Sequence, residues 1–196
     1  MTDKIRILQE QLGTIIKGKK EVTDKIIMAV LAKGHVLLED VPGVGKTTTA
    51  LALSRLMGMD FQRIQFTPDV VPSDVTGFTM YQKETGTFVY RPGAVMCNFL
   101  LADEINRTSS KTQAALLEVM EEGRVTVDGE THEVPKPFVV LATENPVGSS
   151  GTQMLPESQL DRFMVSLSMG YPDHESLVEI LRDRQDTNPL DHAETV

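Results

Sequence analysis

The sequence predicts an α/β fold, a parallel sheet with helices on both faces, and three observations predict it. Strand-length apolar runs alternate with helix-length amphipathic runs along most of the 196 residues. Several of the strand-like runs are apolar at nearly every position, as strands covered on both faces are. A glycine-bearing loop, Asp40-Val41-Pro42-Gly43-Val44-Gly45-Lys46-Thr47, joins one such run to a helix-like one.

The elements follow in order. Asp3 to Leu12 places Ile5, Leu8 and Leu12 on one helical face, and Glu21 to Lys33 does the same with Val22, Ile26, Ile27, Val30 and Leu31. Gly13 and Gly18 mark breaks between these helices. Strands are expected at His35–Glu39, Phe61–Phe66, Asn98–Asp103, Phe138–Thr143 and Met164–Met169, and further helices at Thr47–Met57, Ser109–Glu122 and Asp173–Arg184. The second of these helices carries Ala115, Leu116, Val119 and Met120 on one side. Two segments interrupt the alternation. Gly77 to Gly93 is short, glycine-punctuated and aromatic (Phe78, Tyr81, Phe88, Tyr90). Arg124 to Val134 alternates around Asp128-Gly129, a two-residue hairpin signal, and Pro135 and Pro137 end it.

The loop has the chemistry of a polyphosphate cradle. Glycines let successive N–H groups turn inward, and the helix that follows offers the positive end of its dipole. Lys46 is placed to reach the β- and γ-phosphates, and the Thr47 hydroxyl to ligate Mg²⁺. Asp40 stands where the full pattern has its first glycine, a negative charge tolerable only if turned away from the ligand.

A second motif ends an apolar strand in two acids, Leu100-Leu101-Ala102-Asp103-Glu104, about 55 residues after Gly45-Lys46-Thr47. In a nucleoside triphosphatase Asp103 holds Mg²⁺ through its water ligands and Glu104 polarises the attacking water. A solvated strand end is the bland reading of the acids alone; the pairing with the loop is what favours catalysis. The next strand ends in Thr143-Glu144-Asn145, where Asn145 reads either as a turn former before Pro146 or as a group reaching the γ-phosphate or the water. Leu155 to Phe163 reads as a short helix carrying Arg162, which is either a surface ion-pair partner or a finger for a neighbouring subunit's nucleotide.

Composition narrows the classes. The formal net charge of −9 argues against a nucleic-acid partner. Cys97 is the single cysteine, which excludes an intrachain disulfide and fits a reducing compartment; beside Phe99-Leu100-Leu101 it reads as a core residue. No apolar run reaches the roughly 18 residues of a membrane span, and Met1 to Arg6 lacks a signal peptide's apolar stretch, so a cytoplasmic protein is expected.

These motifs together resemble the MoxR family of AAA+ ATPases. The resemblance rests on Leu38 to Thr47, Gln65-Phe66-Thr67-Pro68-Asp69 with Pro72-Ser73-Asp74, Leu101 to Arg107, Ala142 to Pro146, and Leu155 to Phe163, in that order. It covers about Leu12 to Ile180, and the family's own loop carries an aspartate where Asp40 stands. Glu144 departs from the family, which more often has Gln there. The resemblance implies a three-layer P-loop core with a five-stranded parallel sheet, a helix-2 insert at Gly77–Gly93 and a pre-sensor-1 hairpin around Asp128-Gly129, inserts that face the central pore in related machines. It implies ATP or ADP and Mg²⁺ as ligands. Pro42, Gly43, Val44, Gly45, Lys46, Thr47 and Thr48 then bind the phosphates, Thr47 and Asp103 serve the metal, and Glu104 and Asn145 (sensor 1) are catalytic. Arg162 is the arginine finger, and Ile16 and Gly18 flank the adenine. A homo-oligomeric ring, a hexamer by the family's habit, acting on a client protein and in some relatives with a von Willebrand factor A domain partner, is the implied assembly. The expected domain layout is a core over residues 1–185 and a polar tail at 186–196, leading to a helical lid that the chain lacks. Two other functions stay open on the residues: a nucleotide-dependent binding scaffold and a DNA-linked motor, the latter disfavoured by the charge.

Overall fold

The computed structural model describes residues 2–39, 43–145, 154–171, 174, 176–178 and 195–196. Its framework is a parallel sheet. Five strands, β1 (Val36–Glu39), β2 (Phe61–Gln65), β5 (Phe99–Asp103), β8 (Val139–Glu144) and β9 (Val165–Leu167), lie in the order β2-β5-β8-β1-β9, all parallel. Four of the five fall within a residue of their expected runs, and β9 ends two residues before the expected Met169.

The sheet separates two apolar cores, and strand alternation decides which side chain enters which. Val36, Leu38, Phe99, Leu101, Val139 and Leu141 face one side, against helices α1 (Thr2–Ile15), α2 (Lys20–Leu31) and α3 (Lys46–Leu56) through Leu8, Leu12, Ile26, Ile27, Leu53 and Leu56. Leu37, Leu100, Ala102, Val140 and Ala142 face the other, against Leu116, Leu117, Val119 and Met120 of α5 (Ser110–Glu122). Every residue of β5 and of β8 is buried. Two central strands covered on both faces and three layers are the architecture that near-continuous apolar runs predict.

Three details differ from the sequence expectation. Gly13 does not break the chain: α1 continues through it to Ile15, and the break falls at Gly18, whose φ is +71°. Leu31 is exposed, and its place on the buried face of α2 goes to Thr23, which satisfies its hydroxyl on Lys19 and Lys20 carbonyls. A short helix α4 (Pro72–Thr76) precedes the first insert, its Pro72 at a helix start where the missing N–H does no harm.

Both inserts are antiparallel hairpins: β3 (Gly77–Gln82) with β4 (Thr87–Pro92), and β6 (Arg124–Val127) with β7 (Glu130–Glu133). Asp128 and Gly129 both have positive φ, the geometry an Asp-Gly two-residue turn requires. The Tyr90 ring of the first hairpin stacks on His132 of the second, centroids 3.8 Å apart and nearly parallel. Helix α6 (Glu157–Leu160) precedes β9 as expected. The expected helix at Asp173–Arg184, apart from a few residues, and Asp186 to Glu194 lie outside the described residues, as do Asp40, Val41 and Pro42 of the loop.

Candidate active site

The site lies at the C-terminal edge of the sheet, where three neighbouring strands deliver their last residues: β1 leads into the phosphate loop, β5 into Asp103-Glu104, and β8 into Asn145. Ligands of open α/β sheets bind at this edge. Gly43 and Gly45 hold φ values of +90° and +96°, conformations that strain any residue with a side chain. A Cβ on either would meet nothing within 4 Å, so the glycines serve backbone shape and not clearance. Gly45 is the N-cap of α3 and offers no side chain to its first N–H groups, and the first turn holds no acid. That end of the helix suits an anion. Lys46 is buried at 7% exposure, Thr47 is exposed and Thr48 is half-buried. Val44 is buried and belongs to the same core cluster as Leu8 and Leu12 of α1 and Ile16 just after it.

The two acids are adjacent in sequence but have different partners. Glu104 has φ +57° and ψ +50°, a left-handed conformation unusual for a side-chain-bearing residue. It stands directly after β5, where the chain turns. Asp103, 8% exposed, accepts from Thr143 Oγ1 at Oδ1 (2.6 Å) and from Arg63 Nη2 at Oδ2 (2.7 Å). Glu104 accepts from Asn145 Nδ2 at Oε1 (2.9 Å) and from Arg107 Nη1 at Oε2 (2.8 Å). The Glu104 N–H donates to Thr143 Oγ1 (2.8 Å), so one threonine hydroxyl bridges both acids. Asn106 Nδ2 donates to the Asn145 carbonyl (3.0 Å), and Gln113 Nε2 of α5 to the Ile105 carbonyl (2.9 Å), which anchors the turn after the acids.

Three groups at this edge stand out for what they lack, the fully buried Asn106 with its Oδ1 unpartnered among the described residues being one of them. Asn145 Oδ1 is buried without a hydrogen-bond partner among the described residues, although its amide is fixed on Glu104. Glu144 is buried at 4% exposure with Oε1 equally unpartnered, and it lies in register with Glu39 of β1. Burial, with the Glu39 carboxylate second, pushes the Glu144 carboxyl up to about 7. Glu39 itself accepts from Ser166 of β9.

The structure therefore brings together the loop, Asp103, Glu104 and Asn145. It leaves Arg162 elsewhere: its Nε and Nη2 both donate to Glu121 Oε2 of α5, in a cavity of about 280 Å³ lined also by Leu117, Glu118 and Gln159. Ile16 is a core residue at 7% exposure, and Gly18 is exposed. Pro42 is outside the described residues. Cys97 is buried, and burial lifts its thiol to about 12, so it is no nucleophile. Sequence reading missed Arg63, Arg107 and the hydroxyl of Thr143. Arg107 had a signal, since it stands three residues after Glu104. Arg63 had a fainter one, a charge inside a strand that pairs with the Asp103 strand.

The donors fit magnesium with a polyphosphate. One carboxylate and one hydroxyl are few ligands for a metal alone, and among the described residues no cluster of three or more His, Cys, Asp or Glu is built for one. Mg²⁺ is usually held by one or two protein groups plus phosphate oxygens and water.

The sequence profile of the ATPase family associated with various cellular activities (AAA) matches residues 35–165. The chain belongs to the AAA ATPases. Within them it is of the MoxR family. It is 54% identical over 187 residues to the uncharacterized protein YeaC of Bacillus subtilis (strain 168), across 95% of this chain and 58% of YeaC. It is 47% identical over 171 residues to the chaperone MoxR1 of Mycobacterium tuberculosis, across 87% of this chain and 45% of MoxR1. The crystal structure of a candidate ATPase from Cytophaga hutchinsonii superposes on it with a TM-score of 0.88 at 41% identity, covering 98% of this chain and 58% of that one. The chain thus spans about half the length of these relatives. No helix among the described residues is long and apolar enough to cross a membrane.

Proposed function

We propose that the chain binds Mg–ATP at this sheet edge and hydrolyses it, and that the energy serves remodelling of a client protein by a ring of subunits. One observation carries the reading: Glu104 and Asn145, from adjacent strands, share a hydrogen bond (2.9 Å) beside a strand that opens into a glycine loop and an uncapped helix.

The residues divide the work. The N–H groups of Gly43, Val44, Gly45 and the first turn of α3, Thr48 included, surround the phosphates, and Pro42, which has no N–H to give, precedes them in the loop. Lys46 neutralises charge on the β- and γ-phosphates. The Thr47 hydroxyl and the Asp103 carboxylate would hold Mg²⁺, which would neutralise charge on the β- and γ-phosphates. Glu104 accepts a proton from the attacking water, oriented by Asn145 and Arg107 on its two oxygens. Arg162, from a neighbouring subunit, answers the charge that develops on the γ-phosphoryl group. Ile16 and Gly18 border the adenine. The client role rests on the name chaperone carried by MoxR1, and residues 1–185 as the ATPase core on the extent of the resemblance.

Titration with a fluorescent ATP analogue tests the binding half. Lys46→Ala is expected to weaken affinity by at least about tenfold, the loss of one desolvated charge contact. Unchanged affinity in a folded Lys46→Ala protein contradicts the site.

A further inference from the structure

Each acid of the pair has an arginine, and Arg63 lies outside every motif that carries the active site. It stands on β2, the edge strand of the sheet, two residues before Gln65, and Gln65 is in register with Asp103. Alternate strand residues share a face, so the Arg63 side chain runs toward the strand end beside Gln65. Its Nη2 donates to Gln65 Oε1 (2.8 Å) and to Asp103 Oδ2 (2.7 Å), while Thr143 occupies Oδ1. The Asp103 side chain is 11% exposed and that of Arg63 46%. The carboxylate is thus enclosed, and its cation approaches it from the solvent side.

We propose that Arg63 is the built-in counter-cation of Asp103, a positioning residue that keeps this carboxylate from capturing a free divalent ion and admits one only together with a nucleotide's phosphates. The inference rests on Asp103 serving the metal. Two adjacent, largely dry carboxylates form a strong field for a divalent cation. Arg63 on Asp103 and Arg107 on Glu104 bring the formal charge of the four side chains to zero. A guanidinium stays charged at any working pH, so the balance is permanent. An ion arriving alone must oppose or displace Arg63 at hydrogen-bond distance and gains one carboxylate. An ion arriving with a triphosphate brings its own negative charge and oxygen ligands, and Arg63 is free to remain on the carboxylate.

Electron paramagnetic resonance titration with Mn²⁺, on the nucleotide-free chain and with ADP, tests this in the parent, R63Q, R63K, D103N and the R63Q/D103N double variant. Nucleotide-free R63Q is expected to bind Mn²⁺ about tenfold tighter than the parent. R63K, which keeps the charge, should stay near the parent, and D103N should remove the gain. Parent-like Mn²⁺ affinity in nucleotide-free R63Q, or a gain that survives D103N, overturns the role of Arg63 alone. D103N that binds Mn²⁺ with ADP as well as the parent overturns the metal role of Asp103 and the proposal with it. If circular dichroism shows R63Q unfolded, R63M is read in the same way. The parent suffices on its own for refutation: Mn²⁺ held as tightly without ADP as with it overturns the proposal outright.

Discussion

Glu144 and His35 are buried ionisable residues, and they pull the pH dependence of stability in opposite directions. The fold keeps Glu144 protonated up to about 7, while the unfolded chain releases that proton near 4.5. Stability therefore falls as pH rises from about 4.5 to about 7 and is level above. His35 is buried with its pKa lowered, chiefly by desolvation. The Val140 N–H donates to His35 Nδ1 (3.0 Å), so Nε2 carries the proton and donates to the Met120 carbonyl (3.1 Å). The unfolded chain takes up a second ring proton below about 6.5 and the fold refuses it, so this group loses stability as pH falls below that value. Glu144→Gln should remove the loss at high pH: stability about 2–3 kcal/mol above the parent at pH 8, and little different at pH 4. Urea unfolding of both proteins across this range measures it. Equal curves at pH 8 contradict the upward shift of the Glu144 carboxyl. The residue scale also shows what sequence makes legible. Asp103, Glu104 and Asn145 were readable because each closes an apolar run that has to be a buried strand. Arg63 was not, because its partner is 40 positions away and only strand pairing brings them together. The left-handed backbone of Glu104 left no mark in residue type, since glutamate is not a usual choice there.

At the scale of elements, α5 connects the site to the body of the protein. Ser109 caps it by accepting from the Thr112 N–H (3.3 Å), Gly123 ends it with a left-handed φ of +65°, and both residues flank the run that periodicity marks as a helix. One face of α5 packs on the sheet. Its first turns reach the site, since Gln113 holds the Ile105 carbonyl and Thr112 the Val70 carbonyl (3.0 Å). Ser109→Ala is expected to lower stability by about 1 kcal/mol through the lost cap. Thermal or urea unfolding checks it, and no change would mean the cap is not formed in solution. The central strands β5 and β8 were legible to within a residue because burial on both faces leaves little freedom in composition, whereas β9, less buried, ends two residues before the expected Met169. The first break was misplaced at Gly13 because glycine in a helix costs only about 1 kcal/mol against alanine. The surrounding packing of Leu8, Leu12 and Ile16 outweighs that.

At the scale of the whole molecule, the strand order makes the site, because β1, β8 and β5 are neighbours although they are far apart in sequence. Alternation of strands and helices pointed to a parallel sheet and the resemblance to five strands, but the order of the strands came from the structure alone. Arg162 is the element of the account that depends on assembly. Here it is held by Glu121, with side chains 33% and 57% exposed, a contact worth at most about 1 kcal/mol at such exposure. Nothing in the composition of α5 singled out Glu121 among its neighbours Glu118 and Glu122. If Arg162 serves a neighbour's nucleotide, it must leave Glu121 on assembly. Glu121→Gln should then reduce by up to about fivefold the protein concentration that gives half-maximal ATPase rate. An unchanged or higher concentration, measured by phosphate release over a dilution series, counts against the finger.

The central claim is that Glu104 activates the water that attacks ATP, and one pair of measurements on Glu104→Gln tests it most directly. The amide keeps the size of the side chain and can still meet Asn145 or Arg107, but it cannot accept the water's proton. Binding of the fluorescent ATP analogue should match the parent within about twofold, while phosphate release falls by about 100-fold or more. Phosphate release at the parent's rate, with binding intact, contradicts the account.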